Sequence, residues 1–116
     1  MKFEVINLQR LKDFDLGQEF VHEVIQAYID EIPQYLRQAE QNIQNDEKKE
    51  LKRILHTLKS HSKTLGMNEI SEKMVFWEEN ILDSSMENFK ADFEMIKSHW
   101  SKAVKELESL KSLDIL

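Results

Sequence analysis

The residues best suited to chemistry in this sequence are one histidine and the lysines around it, in the segment LHTLKSHSKTLG at residues 55–66. On a helix with about 100° per residue, four side chains fall with His56 inside an arc of about 100°: Lys52, Lys59, Ser60 and Lys63. Leu51, Leu55 and Leu58 fall on the opposite side. This spacing predicts that the imidazole of His56 points into water among ammonium groups.

Nearby cations disfavour protonation of an imidazole, and the neutral ring is a nucleophile. A neutral ring nitrogen can attack phosphorus, while Lys59 and Lys63 stabilise the charge of the phosphoryl group in transit. The same pattern also fits an ordinary solvated helix surface, because most exposed histidines beside lysines do no chemistry. Geometry alone leaves both interpretations open.

Charge is unevenly distributed along the chain, whose net charge is −6. Between Asp46 and Gly66 there are six bases and three acids, so this segment carries a local charge of +3. The acidic balance of the whole argues against nucleic-acid binding, which depends on clustered Lys and Arg. The segment around His56 therefore forms a local positive field on an acidic protein.

The elements that position this face are predicted to be four helices. The first is predicted to start at Asp13 or Asp15 and to contain Pro33, which should kink or break it near residues 29–32. The second runs from a cap at Asn45 or Asp46 to Leu65, with Gly66 ending it. The third is capped by Asn68 and the last by Ser84 or Ser85. Their apolar stripes have three- or four-residue spacing: Phe20, Val24, Tyr28, Ile32, Leu36, Ala39 and Ile43; Ile70, Met74, Trp77 and Ile81; Phe89, Phe93, Ile96, Trp100, Ala103, Leu107 and Leu110.

Four such helices joined by short links favour an all-α, up-and-down antiparallel four-helix bundle, preceded by a short helical segment from Asn7 to about Lys12. We expect residues 1–116 to form one domain, because the chain is large enough for only one core. The heptad-like last stripe also allows a coiled-coil dimer, although a bundle core uses the same pattern. We favour a monomer.

Other composition signals exclude several function classes. The chain has no cysteine, which fits a cytoplasmic protein and excludes thiolate metal sites, and it has no apolar run of about 20 residues for a membrane span. His56 and His61 lie about 140° apart on a helix, so they cannot share a metal, and His22 and His99 are isolated. Glu78 and Glu79 point apart, which argues against paired catalytic carboxylates. No Gly-rich phosphate loop is present, so no ATP site is expected.

The segment HTLKSHSKTLG resembles the signature of histidine-containing phosphotransfer (HPt) domains, commonly H-x-L-K-G-[SA]-[SA]-x-x-L-G. Matched residue by residue, His56 is the phosphorylated histidine and Lys59 the lysine near the phosphoryl group. Leu58 is the core leucine, Ser62 the second small residue, and Leu65 with Gly66 the helix ending. FVHEVIQAYIDEIPQYL resembles the family's first bundle helix, and Trp77-Glu78 stands where the family usually has Leu-Glu. The resemblance covers about residues 14–110.

Two positions depart from the family pattern. Ser60 replaces a glycine on the face that should meet the partner, and His61 replaces a small residue at the edge of the core, where we expect a structural role. An HPt domain also needs an apolar rim for its partner, which we expect from Val21, Ile25 or Ile29.

The resemblance implies a phosphorelay intermediate that carries a phosphoryl group on His56 between receiver domains of response regulators or hybrid histidine kinases. It implies that Lys59 stabilises the phosphoryl group, that Ser60 lies in the contact surface, and that the chain needs no cofactor, since Mg²⁺ belongs to the receiver. From their spacing around His56, we expect Lys63 to assist Lys59 and Lys52 to contact the partner. The chain would be a phosphocarrier rather than an enzyme. The alternative is a non-catalytic helical adaptor that binds receivers without phosphotransfer.

Overall fold

Four α-helices make up the fold of residues 18–113, the part of the chain that this computed structural model describes. They are α1 (Gln18–Gln44), α2 (Lys48–Thr64), α3 (Asn68–Asn80) and α4 (Met86–Leu113), with a 3-10 turn (Ile81–Asp83) between α3 and α4. No strand occurs within residues 18–113, and the predicted all-α class is confirmed. The predicted segment from Asn7 to Lys12 and the caps at Asp13 and Asp15 lie outside the described residues.

The helices form an up-and-down bundle. Packing contacts join α1 to α2, α2 to α3, α3 to α4 and α4 back to α1, which closes a four-membered ring of helices. The links at residues 45–47, 65–67 and 81–85 are too short to return the chain along a helix of about 1.5 Å per residue, so consecutive helices run antiparallel. This arrangement is the predicted one.

The predicted stripes of α3 and α4 are confirmed as core, whereas in α1 the predicted Val24, Tyr28 and Ile43 are only half-buried and the side chain of Phe20 is not described. In α4 every predicted stripe residue is buried within this chain, so a coiled-coil partner is not needed to cover it. In α2 the buried side chains are Leu51, Leu55, Leu58 and Ser62. The remaining buried apolar residues are Val104 of α4 and ten from the other helices and their links: Ile25, Ile32, Leu36, Ala39, Leu65, Met67, Ile70, Met74, Trp77 and Ile81.

The ends of α1 and α2 share one backbone design. Gly66 has φ 69°, and the N–H groups of Gly66 and Met67 donate to the carbonyls of Lys63 and Ser62. This is a Schellman ending, so the predicted helix stop at Gly66 is confirmed. Asp46 takes the equivalent left-handed position after α1, with φ 54°. The predicted cap of α2 at Asn45 or Asp46 is therefore wrong, because Asp46 terminates α1.

Three further helix predictions have different outcomes. Met67, not the predicted Asn68, precedes α3, and it makes no side-chain cap bond. Ser85 does cap α4 as predicted, because its Oγ accepts from the N–H of Asn88 at 3.2 Å. Of the kink or break predicted near Pro33, the break is wrong, since α1 continues through that proline as one helix; the kink stays a prediction.

Candidate functional site

His56 lies in the middle of α2 and points away from the core. Its side chain is 62% exposed, whereas the preceding Leu55 is buried. The leucines at positions 51, 55 and 58 orient the helix, and the opposite side of α2 is left to water. The predicted exposure of the imidazole is confirmed.

The ring of His56 is held from behind by a carboxylate on the neighbouring helix α3. Nδ1 lies 2.6 Å from Oε1 of Glu78, whose side chain is only 15% exposed. A carboxylate can only accept a hydrogen bond, so Nδ1 must carry the proton that makes this contact. In the neutral ring the lone pair then resides on Nε2, the nitrogen not engaged by Glu78. The geometry thereby selects one tautomer and one nucleophilic atom.

Lys59 completes a three-residue cluster with His56 and Glu78. Its Nζ lies 2.5 Å from Oε2 of Glu78, and its side chain is 21% exposed. Desolvation opposes ionisation of Glu78, but the hydrogen bonds from Lys59 and His56 together outweigh it, so the pKa of this carboxyl lies below its ordinary value. Glu78 therefore stays ionised at neutral pH and faces one ammonium and one imidazole.

The carboxylate corrects the purely cationic environment that the sequence predicts for His56. Glu78 is 22 residues away and on another helix, so spacing within α2 could not reveal it. One signal was available, since Trp77 belongs to the core stripe of α3 and the residue after it must project beside that stripe. Because α2 and α3 pack together, that side chain reaches the histidine face.

The other predicted site residues lie along the same side of α2. Lys52 lines an open depression with Lys49, Arg53, Thr57, Glu78 and His56. Ser60 and Lys63 are exposed on the C-terminal side of His56. Lys63 stands two turns away, about 10 Å along the helix axis. The structure thus puts all five residues on the α2 surface and adds Glu78 to them.

His61 occupies the boundary between α2 and α1. Its ring meets Tyr28 edge-on at a centroid distance of 4.8 Å and lies 6.0 Å from the ring of Tyr35. Burial lowers its pKa, with a partly opposing effect from Glu31, so the ring is favoured in its neutral form. The predicted structural position at the core edge is confirmed, although Nε2 is buried without a hydrogen-bond partner.

Ser62 is the small residue of the motif that faces the core. It is fully buried, and its Oγ donates to the carbonyl of Lys59 at 2.6 Å. The hydroxyl is satisfied within its own helix, which avoids the cost of an unpaired buried polar group. Ser62 thus supports the helix turn that carries Lys59.

The predicted apolar rim on α1 needs correction. Ile25 is fully buried and Ile29 packs against the core, while Val21 lies among residues whose side chains are not described. Among the described residues the large apolar side chains with the greatest exposure are Phe76, at 53%, and Leu82, at 45%. They belong to α3 and the 3-10 turn, on the other side of His56 from α1.

No metal or membrane feature is added by the described residues. Within them, no group of three or more His, Cys, Asp or Glu is placed to hold a metal ion. None of the four helices, as described, has the length and apolar character required to cross a bilayer. The chemistry of this surface rests on the imidazole, the carboxylate and the ammonium groups.

Comparison with known proteins agrees with the fold and the exposed histidine. The family model described as Hpt domain matches residues 23–111, which include α2, α3 and most of α1 and α4. No curated protein and no solved structure gave a significant match. Hpt domains are helical bundles that carry phosphoryl groups in phosphorelays and interact with receiver domains. The chain belongs to the family of histidine-containing phosphotransfer domains.

Proposed function

We propose that this chain is a phosphorelay intermediate, in which Nε2 of His56 accepts a phosphoryl group from the aspartyl phosphate of one receiver domain and donates it to the aspartate of another. The observation that carries this proposal is the contact of Nδ1 with Glu78 at 2.6 Å on a ring that is 62% exposed. The contact leaves Nε2 with its lone pair, and the exposure lets a partner's active site reach that atom.

The transfer step involves one bond formed and one broken. The Nε2 lone pair attacks phosphorus, the bond from phosphorus to the aspartyl oxygen breaks, and the receiver's carboxylate leaves with the electron pair. The imidazole of His56 becomes positively charged as the nitrogen–phosphorus bond forms, because Nδ1 keeps its proton. Glu78 faces that proton and stabilises the charge, as the buried aspartate does behind the histidine of a serine protease. Donation to the second receiver reverses these steps.

Lys59 stabilises the negative charge of the phosphoryl group. Its ammonium has three donors, and one of them is used by Oε2 of Glu78 at 2.5 Å. The remaining donors are available to the phosphoryl oxygens on Nε2, and Lys63 adds a second positive charge further along α2. Lys52 and Ser60 lie one turn to either side of His56, where they contact the receiver.

The chain supplies no nucleotide site in this proposal. Its sequence has no Gly-rich phosphate loop. The family resemblance implies that the phosphoryl group comes from a receiver and that the Mg²⁺ ion with its acidic ligands belongs to that receiver. The monomer carries one phosphoryl group at a time. Its interface with each receiver is transient, since a relay must release one partner before it binds the next.

A transfer assay tests the proposal. Receiver domains of the source organism are phosphorylated with labelled phosphate and mixed with the protein; the label should pass to it in an acid-labile, base-stable form. His56→Gln should abolish the transfer, whereas His99→Gln, the same change at a histidine of α4 outside the site, should leave it intact. Binding of a receiver without any transfer would instead establish the adaptor function, for which Ser60 on the contact face is the supporting feature.

A further inference from the structure

Two large apolar side chains are prominently exposed in the described part of the chain, and only one of them lies near the histidine. Phe76 stacks edge-on against Trp77 and borders a depression between α3 and α4 with Ile70 and Met95. Leu82 belongs to the 3-10 turn, which packs against α2. The two residues therefore point to different faces of the bundle.

Leu82 lies on the face that carries Glu78. Trp77 and Ile81 are four residues apart and both are buried in the core. Glu78 and Leu82 directly follow them, so they also lie one turn apart on one side of the chain. Since Glu78 contacts His56, Leu82 stands about one turn from the phosphoryl-accepting residue, toward the N-terminal half of α2.

A bond from α2 fixes the position of this turn. Nζ of Lys48 donates to the carbonyl of Ser84 at 2.6 Å, which ties the start of α2 to the end of the link that holds Leu82. The carbonyl of Ile81 also accepts the N–H of Ser84, at 3.4 Å. The 45% exposed leucine thus lies on a turn whose C-terminal end is tied to the start of α2.

Basic side chains outnumber acidic ones in the depression beside His56, where Lys49, Lys52 and Arg53 lie with one carboxylate, Glu78. Lys49 and Lys52 line the depression beside His56, and neither ammonium pairs with a carboxylate of the described residues. Arg53, in the same depression, shares its charge with Glu50 at 3.7 Å. An apolar side chain bordered by positive charge that no carboxylate of the described residues pairs with matches a partner surface with the opposite pattern, namely an apolar contact bordered by carboxylates.

We propose that a receiver domain binds the surface formed by Leu82, Lys49, Lys52 and Arg53, which we call the docking surface. Its phosphorylated aspartate then lies over His56. The proposal rests on the proposed function and adds the footprint and the chemistry of the partner. The receiver contributes an apolar side chain against Leu82 and carboxylates against Lys49 and Lys52. The apolar contact slows dissociation, while the charges speed association and make it sensitive to salt.

The test measures transfer from a labelled receiver as a function of receiver concentration. Leu82→Asp should raise the KM about tenfold, because an aspartate would be buried in an apolar contact. Lys49→Glu with Lys52→Glu should raise the KM about tenfold at low salt, and should weaken the salt dependence seen in the wild type. Phe76→Asp is the matched control, since it makes the same change at the other exposed apolar residue and should leave the KM within about twofold.

Phosphoramidate separates docking from chemistry. This small phosphodonor needs no docking surface, so it should label His56 equally in the wild type, Leu82→Asp and Phe76→Asp. Equal KM values in the wild type and Leu82→Asp, or an equal rise in Phe76→Asp, would overturn the docking surface while leaving the relay function in place. Absence of transfer to the wild type from every receiver would overturn the relay function itself, and this footprint with it.

Discussion

Replacing Glu78 by alanine removes the group that fixes the ring of His56, without touching any atom that bonds to phosphorus. In the wild type the carboxylate lies 2.6 Å from Nδ1 and directs the lone pair to Nε2. In Glu78→Ala the neutral ring can place its proton on either nitrogen, and only one of the two tautomers leaves Nε2 reactive. The ring also loses the negative charge that stabilises it while the nitrogen–phosphorus bond forms.

The magnitude follows from the contact and its exposure. A charge-assisted hydrogen bond contributes about 1.5–3 kcal/mol, and the 62% exposure of His56 places this one near the lower limit. Since about 1.4 kcal/mol corresponds to tenfold in rate, Glu78→Ala should transfer about tenfold more slowly at saturating receiver. Glu78→Gln retains an acceptor without the charge, so it should lose about threefold to fivefold. The expected order is wild type, Gln, then Ala.

Single-turnover transfer from a labelled receiver gives the rate, and ¹⁵N spectra of the His56 ring give the tautomer. The wild type should show a proton on Nδ1, whereas Glu78→Ala should show a mixture. Glu79→Ala is the matched control, because it removes the adjacent, exposed carboxylate of the same helix and should change neither measurement. Thermal unfolding of each variant shows whether the bundle is intact.

Two results would refute this reasoning about Glu78. One is a wild-type spectrum with the proton on Nε2, since the tautomer argument then fails at its first step. The other is a Glu78→Ala protein that transfers at the wild-type rate at saturating receiver. A slower rate caused only by a higher KM would assign Glu78 to docking rather than to the chemical step.

Three stability measurements test the packing around the site. Burial lowers the pKa of His61, whose ring faces Tyr28, Tyr35 and Glu31, so the unfolded chain binds more protons than the folded one as the pH falls through the usual value of 6.5. The unfolding free energy of the wild type should therefore fall between about pH 8 and about pH 5, and His61→Phe should show a smaller fall. An unchanged fall in His61→Phe would contradict this. Gly66→Ala should lower the unfolding free energy in urea by about 1–2 kcal/mol, because a Cβ is disfavoured at positive φ; no loss would mean that the turn relaxes to another conformation. Leu58→Ala should lower it by about 2–5 kcal/mol, against less than about 0.5 kcal/mol for the exposed Glu72→Ala, and similar losses would contradict the assigned core.

The hydropathy pattern predicted the helices because each helix buries one apolar face against the shared core, which places apolar residues at three- or four-residue spacing. The start of α2 was predicted less well, and the reason is local. In a link of three residues, Glu47 both precedes α2 and donates its N–H to the carbonyl of Asn42 in the ending of α1. The residue that looks like a cap, Asp46, is therefore used for its tolerance of the left-handed conformation. Composition cannot show which of the two helices a polar residue serves.

Some residues of the candidate site could be predicted from spacing within one helix, and others depend on contacts between helices. His56, Lys59 and Ser60 lie within two turns of one helix, so spacing was enough to place them on one surface. Glu78 reaches His56 only because α2 and α3 pack in one register, and Leu82 reaches that face through the turn after α3. Both depend on contacts between helices, which a single sequence does not encode as a pattern. The family motif identified His56 as the phosphorylated residue but gave no role to Glu78.

The cluster of His56, Glu78 and Lys59 also explains how one site can both accept and donate. A carrier must not bind the phosphoryl group too tightly, because interactions that stabilise phosphohistidine more than the transition state slow the second transfer. Here the ring of His56 is 62% exposed, so solvent reduces its interactions to a modest size. Lys59 is already paired with Glu78 at 2.5 Å, so its attraction for an incoming phosphoryl group is offset in part by the carboxylate it faces. In the proposed relay, Glu78 would stabilise the ring charge that arises during both transfers. The arrangement would then lower the barrier in both directions without making the phosphohistidine intermediate too stable.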